Sequence, residues 1–375
     1  MRLALAEMRR AKLRFGLLTG AVALLVFLII FQQTLAAALL GFFTGGIEHQ
    51  SAEVLVFNED ARRNVEGSII QQGQVEAVAA VDGVGTVAPL GESTFTVRAG
   101  GELRDAVLFG YEIGGPGAPT RLVEGRLPIA EGEAVASSID ADSGFGIGAV
   151  VEVVPGGYPV TIVGLAEDSR FAVLPTLFAS YPTFEAASFA ANPDAQAVLP
   201  SLIAVDPAPG VDPAELATRI TRRVEGVEAL ERSVAVASLP GVSSIRSSFS
   251  VVLGLAFIVV VLVTGFFFLI LTVQKTQALT LLRAVGASGT YLIRNLAFQV
   301  AVVTGVGVAL AAGLLAIAAA ASSEAFPIEA DPRLILTTGA AVLVLALLAS
   351  LASVRRVSRI DPATATTRMA GGGLE

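Results

Sequence analysis

The chain of 375 residues has no cysteine, so neither a disulfide scaffold nor a thiolate-bound metal is open to it. It has one histidine, His49, which removes the catalytic and metal constellations that need two or three. No Gly-x-x-x-x-Gly-Lys-Ser/Thr stretch occurs, so the chain does not hold ATP in a P-loop, and any driving energy must come from another subunit. Gly-x-Ser-x-Gly is also missing, which argues against a common serine-hydrolase layout. Charge is scarce: 15% of residues are charged, 54% are hydrophobic, and the mean hydropathy is +0.72. A soluble domain is nearer a quarter charged, so the composition is that of a membrane protein with a substantial part outside the bilayer. Lysine is nearly absent beside many arginines, with abundant Ala, Gly and Val, a bias expected of a high-GC genome.

Residues 1–14 are basic and amphipathic and read as a cytoplasmic interfacial helix rather than a signal-peptide n-region. Residues 15–45 form a first apolar span, interrupted by Gln32 and Gln33. Residues 46–246 are a different material, with charges, Gly/Pro turns and strand-like alternation, and are expected to form an α+β domain in one or two lobes. Within it, 53–57, 93–98 and 106–110 read as strands, and 149–154 with 160–165 as a hairpin around Gly156-Gly157. Helical spacing covers 65–81, 181–190 and 212–224, the last with Asp212 as N-cap and Pro213 at the first helical position. From 201 to 237 the predicted order is strand, helix, strand (LIAV, AELATRITRRV, SVAVA). Further spans are expected at 247–273, 296–320 and 333–353. They are joined by a polar segment at 274–295 and an outer loop at 321–332, and followed by a basic tail at 354–375. The fold class is thus a membrane protein of four transmembrane helices with a large α+β domain inserted between the first and second.

Arginine placement orients the chain. The N-terminal segment, the 274–295 segment and the tail carry Arg2, Arg9, Arg10, Lys12, Arg14, Lys275, Arg283, Arg294, Arg355, Arg356, Arg359 and Arg368. Only Glu7, Asp361 and Glu375 oppose them. Both termini are therefore expected in the cytoplasm and the large domain outside a bacterial cytoplasmic membrane. That domain holds 27 acidic and 12 basic side chains, a net of −15, which disfavours nucleic acid and anionic lipid as partners. No span has an Arg-rich voltage-sensor pattern and no selectivity-filter loop is visible, so an ion channel is not expected.

The segment at 277–288, QALTLLRAVGAS, resembles the cytoplasmic loop of FtsX-like/MacB-type ABC transporter permeases, which reads like R-E-I-G-L-L-R-A-L-G-A-S. The match runs through Leu281, Leu282, Arg283, Ala284, Gly286, Ala287 and Ser288 and departs at Gln277 and Ala278. The tail at 355–363 and the stretch at 123–163 (VEGRLP, GEAVAS, YPVTIVG) also resemble that family. The resemblance implies a homodimer of permease chains in membrane lipid, each with a cytoplasmic ABC ATPase that binds ATP and Mg. It also implies no catalytic residue and no bound cofactor in this chain itself. Leu279, Leu281 and Leu282 would anchor a coupling helix in an apolar groove of the ATPase, Arg283 would donate hydrogen bonds, and Gly286 would permit the sharp exit; Ala284 and Ala287 complete the coupling set.

Cargo is less legible. Glu48 and His49 lie at the outer end of the first span, where they could ligate haem iron as an exported substrate. The layout looks similar to haem-exporting permeases of this family. Gln32, Gln33, Phe42 and Phe43 are candidates to line the same lateral opening, the bland reading being wet amides, an interfacial aromatic anchor and an ordinary surface histidine. A non-transporting relay that activates an extracellular cell-wall hydrolase is the alternative to export.

Overall fold

A computed structural model describes residues 8–71, 73–274, 289–321 and 331–358. The chain divides into two compact units, Met1–Leu35 with Ser248–Glu375, and Ala36–Ser247. The coupling residues Leu279, Leu281, Leu282, Arg283, Ala284, Gly286 and Ala287 lie outside the described residues, as do the first seven residues, most of the 321–332 loop and the end of the tail.

The first unit is helical. Residues 8–10 are helical, and a turn at Ala11 separates them from α1 (Lys12–Glu48). The other long helices are α6 (Val242–Gln274), α7 (Gly289–Ala321) and α8 (Pro332–Ser358). Each is long and apolar enough to cross a membrane. At 37 residues, α1 is roughly 55 Å long by the 1.5 Å rise of a helix, well beyond the ~30 Å hydrocarbon thickness. The surplus of α1 (36–48) and the first turns of α6 (242–247) belong to the second unit.

Inside the helical unit, Phe15, Val22, Val26 and Ile30 of α1 pack with Val260 and Phe268 of α6, Val303 and Leu315 of α7, and Val342 of α8. Small residues let these backbones approach. A Cβ on Gly307 would lie 2.9 Å from Val22, and one on Gly339 would lie 2.9 Å from Val308. Arg14, near the start of α1, donates to Gln274 Oε1 at the end of α6 (2.7 Å). The start of α1 and the end of α6 are therefore neighbours.

The second unit is built on ten strands in the order β10-β1-β9-β2-β3-β8-β5-β7-β4, with β6 pairing β2 and β7. The strands are β1 (Val54–Asn58), β2 (Val84–Ala99), β3 (Glu102–Tyr111), β4 (Leu122–Gly125), β5 (Glu133–Ser137), β6 (Val150–Val153), β7 (Tyr158–Ala166), β8 (Thr176–Ser180), β9 (Leu202–Pro207) and β10 (Val227–Glu231). β2 is the spine of the sheet. Its residues 84–90 pair with β9, and its residues 91–99 pair with β3. The unit therefore has two halves joined by one continuous strand. Three short helices cover the outer faces: α2 (Gln74–Ala79) and α4 (Pro213–Arg223) on the first half, and α3 (Tyr181–Ala191) on the second. Asp212 caps α4 by accepting from the amides of Ala214 and Glu215. Pro213, whose missing N–H is an orphan there anyway, opens the helix.

Two local expectations are corrected. The spacing over 65–81 is not one helix: only Gln74–Ala79 is helical. Gly73, at φ +91°, starts that helix, while Val65, Ser68 and Ile70 are buried as parts of a loop. Apolar residues of a packed loop imitate helical spacing here. The run SVAVA is not a strand either. It lies in α5 (Arg232–Ser238), and the strand that pairs with β1 is the preceding VEALE of β10. Ala235, Val236 and Leu239 turn one helical face to the core while Val234 is exposed, so five alternating residues gave a false period.

Candidate functional site

The outer end of α1 enters the second unit and is held there by a loop at 167–174. The Gly46 amide donates to Arg170 O (2.8 Å), and the Val173 and Ala172 amides donate to Phe42 O (2.9 Å) and Phe43 O (3.2 Å). Ala172 and Val173 have φ of 52° and 65°. For a β-branched residue such as Val173 a left-handed conformation is a strained one, and such strain persists only where the surroundings over-determine it. Gly45 and Gly46 make this approach feasible. A Cβ on Gly45 would overlap the Asp168 carbonyl, and one on Gly46 would stand 2.9 Å from Phe109 and Phe171.

Arg170 locks the loop to both sides. Its guanidinium makes a bidentate ion pair with Asp140, Nε to Oδ2 at 3.0 Å and Nη2 to Oδ1. The two side chains are 15% and 2% exposed. The guanidinium carbon also stands 5.1 Å from the centre of the Phe42 ring, a cation–π arrangement. A buried arginine is held most firmly by such planar, two-point recognition.

His49 follows the last turn of α1. Its ring Nδ1 lies 2.9 Å from Asp168 O. A carbonyl can only accept, so Nδ1 is the donor in this contact, and the tautomer with that proton has its lone pair on Nε2. The His49 carbonyl accepts from the Thr120 amide (2.8 Å) and hydroxyl (2.6 Å). Glu48 is exposed, and one carboxylate oxygen accepts from the Thr44 hydroxyl (3.2 Å). Arg232 at the start of α5 completes the collar, donating to Gln50 O (2.5 Å), while its amide reaches Glu53 O (2.9 Å).

One apolar core receives both helix ends. Phe43 and Ile47 of α1 pack in the same cluster as Leu239, Val242, Phe109, Phe171 and Phe178, with Leu40 against it. Phe109 stacks on Phe178 with ring centres 5.2 Å apart and meets Phe171 edge-on at 5.4 Å. A displacement of the outer end of α1 or the start of α6 is therefore carried into the sheet, because close-packed cores transmit strain.

The candidates from the sequence separate as follows. Glu48, His49, Phe42 and Phe43 all lie in the collar. Phe43 is committed to the core and Phe42 to Arg170. Gln32 and Gln33 belong to the helical unit and are used between helices. Gln32 Nε2 donates to Phe249 O (3.2 Å), and Gln33 Oε1 accepts from the Thr338 hydroxyl (2.8 Å). Among the described residues no three His, Cys, Asp or Glu converge on a metal position. Arg170, Asp140 and Arg232 were not singled out from the sequence, since their partners are 30 and 182 residues away along the chain.

The chain matches two family models, the MacB-like periplasmic core domain over residues 15–223 and the FtsX-like permease C-terminal region over residues 250–362. This chain belongs to the FtsX-like/MacB-type permease family. An uncharacterised ABC transporter permease of Mycobacterium tuberculosis H37Rv is 28% identical over 324 residues, 85% of each chain. Another, from Mycobacterium bovis, is 29% identical over 291 residues, 77% of this chain and 76% of that one. A Staphylococcus epidermidis protein whose name assigns it to a hemin transport system, HrtB, is 26% identical over 117 residues, 31% of this chain and 32% of its own. Among solved structures, the periplasmic region of MacB from Actinobacillus actinomycetemcomitans is similar over 51% of this chain and 92% of its own, with 16% identity and a TM-score of 0.37. This permease is thus a membrane protein with a large extracytoplasmic α+β domain between its first two spans. As an ABC transporter permease it works with an ATPase subunit.

Proposed function

We propose that this permease is the transmembrane subunit of an ATP-driven exporter that works by mechanotransmission. Two copies pair in the membrane, and each takes a cytoplasmic ATPase, which carries ATP and Mg, at 277–288. Both termini share the cytoplasmic side with that segment. The observation that carries this reading is the single outer core that receives both the end of α1 and the start of α6. A push at the cytoplasmic ends reaches the outer domain through two stiff helices and one packed cluster. The hydrogen bond from Arg14 to Gln274 supports it, because it ties α1 to the residue that leads into the ATPase-facing segment.

The cargo is a hydrophobic or amphipathic molecule, with haem the leading choice. His49 offers a free Nε2 and Glu48 an exposed carboxylate at the outer end of α1, and the partial likeness to a hemin-system permease points the same way. A spectral titration of purified permease with haem should give a Soret shift in wild type that His49→Ala removes and Glu48→Ala weakens. An absent shift, or the same shift in all three proteins, would take both residues out of the substrate path. Co-purification of a secreted cell-wall hydrolase would instead favour the relay.

A further inference from the structure

Glu92 is placed where a carboxylate is least expected. It lies on β2 immediately after the strand stops pairing with β9 and starts pairing with β3, at the joint between the two halves of the outer domain. It is 6% exposed, and its Oε2 has no hydrogen-bond partner. The return of the chain from the second half to the first crosses the same point. The Glu92 amide donates to the Ser201 hydroxyl (3.0 Å), which donates back to Glu92 O (3.0 Å). The loop at 62–71 closes over this crossing, with the Ile70 amide on Pro200 O (2.8 Å) and Val65 in the shared core with Leu90.

We propose that Glu92 is a proton-controlled latch at this joint: protonated, it keeps the 62–71 loop seated, and ionised, it drives the loop off and loosens the two halves. The groups around it give the charge no compensation. Glu66, on the covering loop, is the charged residue that bears on it, and it has the same sign. β3 contributes Phe109 directly opposite, and Tyr111 two residues further along, whose buried hydroxyl also lacks a partner. The residue just before β9 is the neutral Ser201. Burial first, and then Glu66, pushes the Glu92 carboxyl from its ordinary 4.5 up to about 7. Unpaired buried carboxylates neutralise or find water, and in this proposal the opened loop supplies the water.

The closed joint binds the proton more tightly than the open one, so closure is fully favoured below about 4.5 and loses ground as pH rises to about 7, with no further change above. Opening should gain roughly tenfold per pH unit inside that window, on the order of a hundredfold in total.

The native absence of cysteine gives a clean test. Nitroxides on Ile69→Cys, in the loop, and Leu103→Cys, near the start of β3, sit at exposed positions across the joint. In the full-length permease in lipid nanodiscs, the inter-label distance should shift to a longer population between pH 5 and pH 8. Glu92→Gln should hold the short distance at every pH. Glu66→Gln should keep the response and move its midpoint to lower pH. A distance independent of pH, a Glu92→Gln protein that still responds, or an unmoved midpoint in Glu66→Gln would each overturn the latch.

Discussion

Replacing Arg170 with alanine should destabilise the outer domain by about 3–5 kcal/mol, the range seen when one partner of a buried ion pair is removed. The reason is Asp140. At 2% exposure it has little access to water, and Arg170 makes both of its described hydrogen bonds. The same substitution removes the guanidinium from the face of Phe42 and frees one side of the loop that holds α1. For a domain of this size the loss corresponds to roughly 6–20 °C in melting temperature. Arg170→Lys keeps the charge but not the fork, so it should fall between wild type and alanine. The pair can be separated from its surroundings by a double-mutant cycle. Asp140→Ala with Arg170→Ala should be less damaging than the sum of the two single changes, because neither charge is left alone. Strictly additive losses in thermal unfolding would show that the pair does not act as a unit.

Leu282→Asp should disconnect the permease from its ATPase while leaving the protein folded. Leu279, Leu281 and Leu282 are the leucines of a polar segment between two spans, and if they seat in an ATPase groove as proposed, a carboxylate pushed into it would be buried without a partner. Loss of a central interface residue of this kind weakens binding by about 2 kcal/mol or more, roughly thirtyfold. Pull-down of the ATPase and stimulation of ATP hydrolysis should fall together, and the melting curve of the outer domain should not move. Retention of both signals would show that the ATPase docks elsewhere.

Much of this architecture is readable along the chain because the determinants are local. Long apolar runs announce α1, α6, α7 and α8, and Asp212-Pro213 announces α4 by capping chemistry alone. The motif at 277–288 points to the family through consecutive residues. What could not be read depends on distance in sequence. Asp140 and Arg170 each follow the C-terminal end of a strand, β5 and β7, and meet only once those two parallel strands lie side by side. Glu92 looks like one polar residue in an alternating strand, and only the crossing of Ser201 and the loop at 62–71 turns it into a buried one. Gln32 and Gln33 are adjacent along α1, yet they meet α6 and α8 respectively, which follows from the helical turn between them once the bundle is known. SVAVA failed for the opposite reason: its alternation along the chain is local and is not matched by alternating burial, and β10 already fills the edge beside β1.

In the proposed mechanism this permease is powered by a separate ATPase whose motion travels through α1 and α6 into one outer core. Affinity purification of the full-length chain from the membranes of its own host tests this directly, with the bound proteins identified and ATP hydrolysis measured in nanodiscs. A P-loop ATPase subunit should accompany the permease in about equal amount and hydrolyse ATP, and Leu282→Asp should lose it. A permease that is recovered folded, with no nucleotide-binding subunit and no hydrolysis attached to it, would contradict that mechanism.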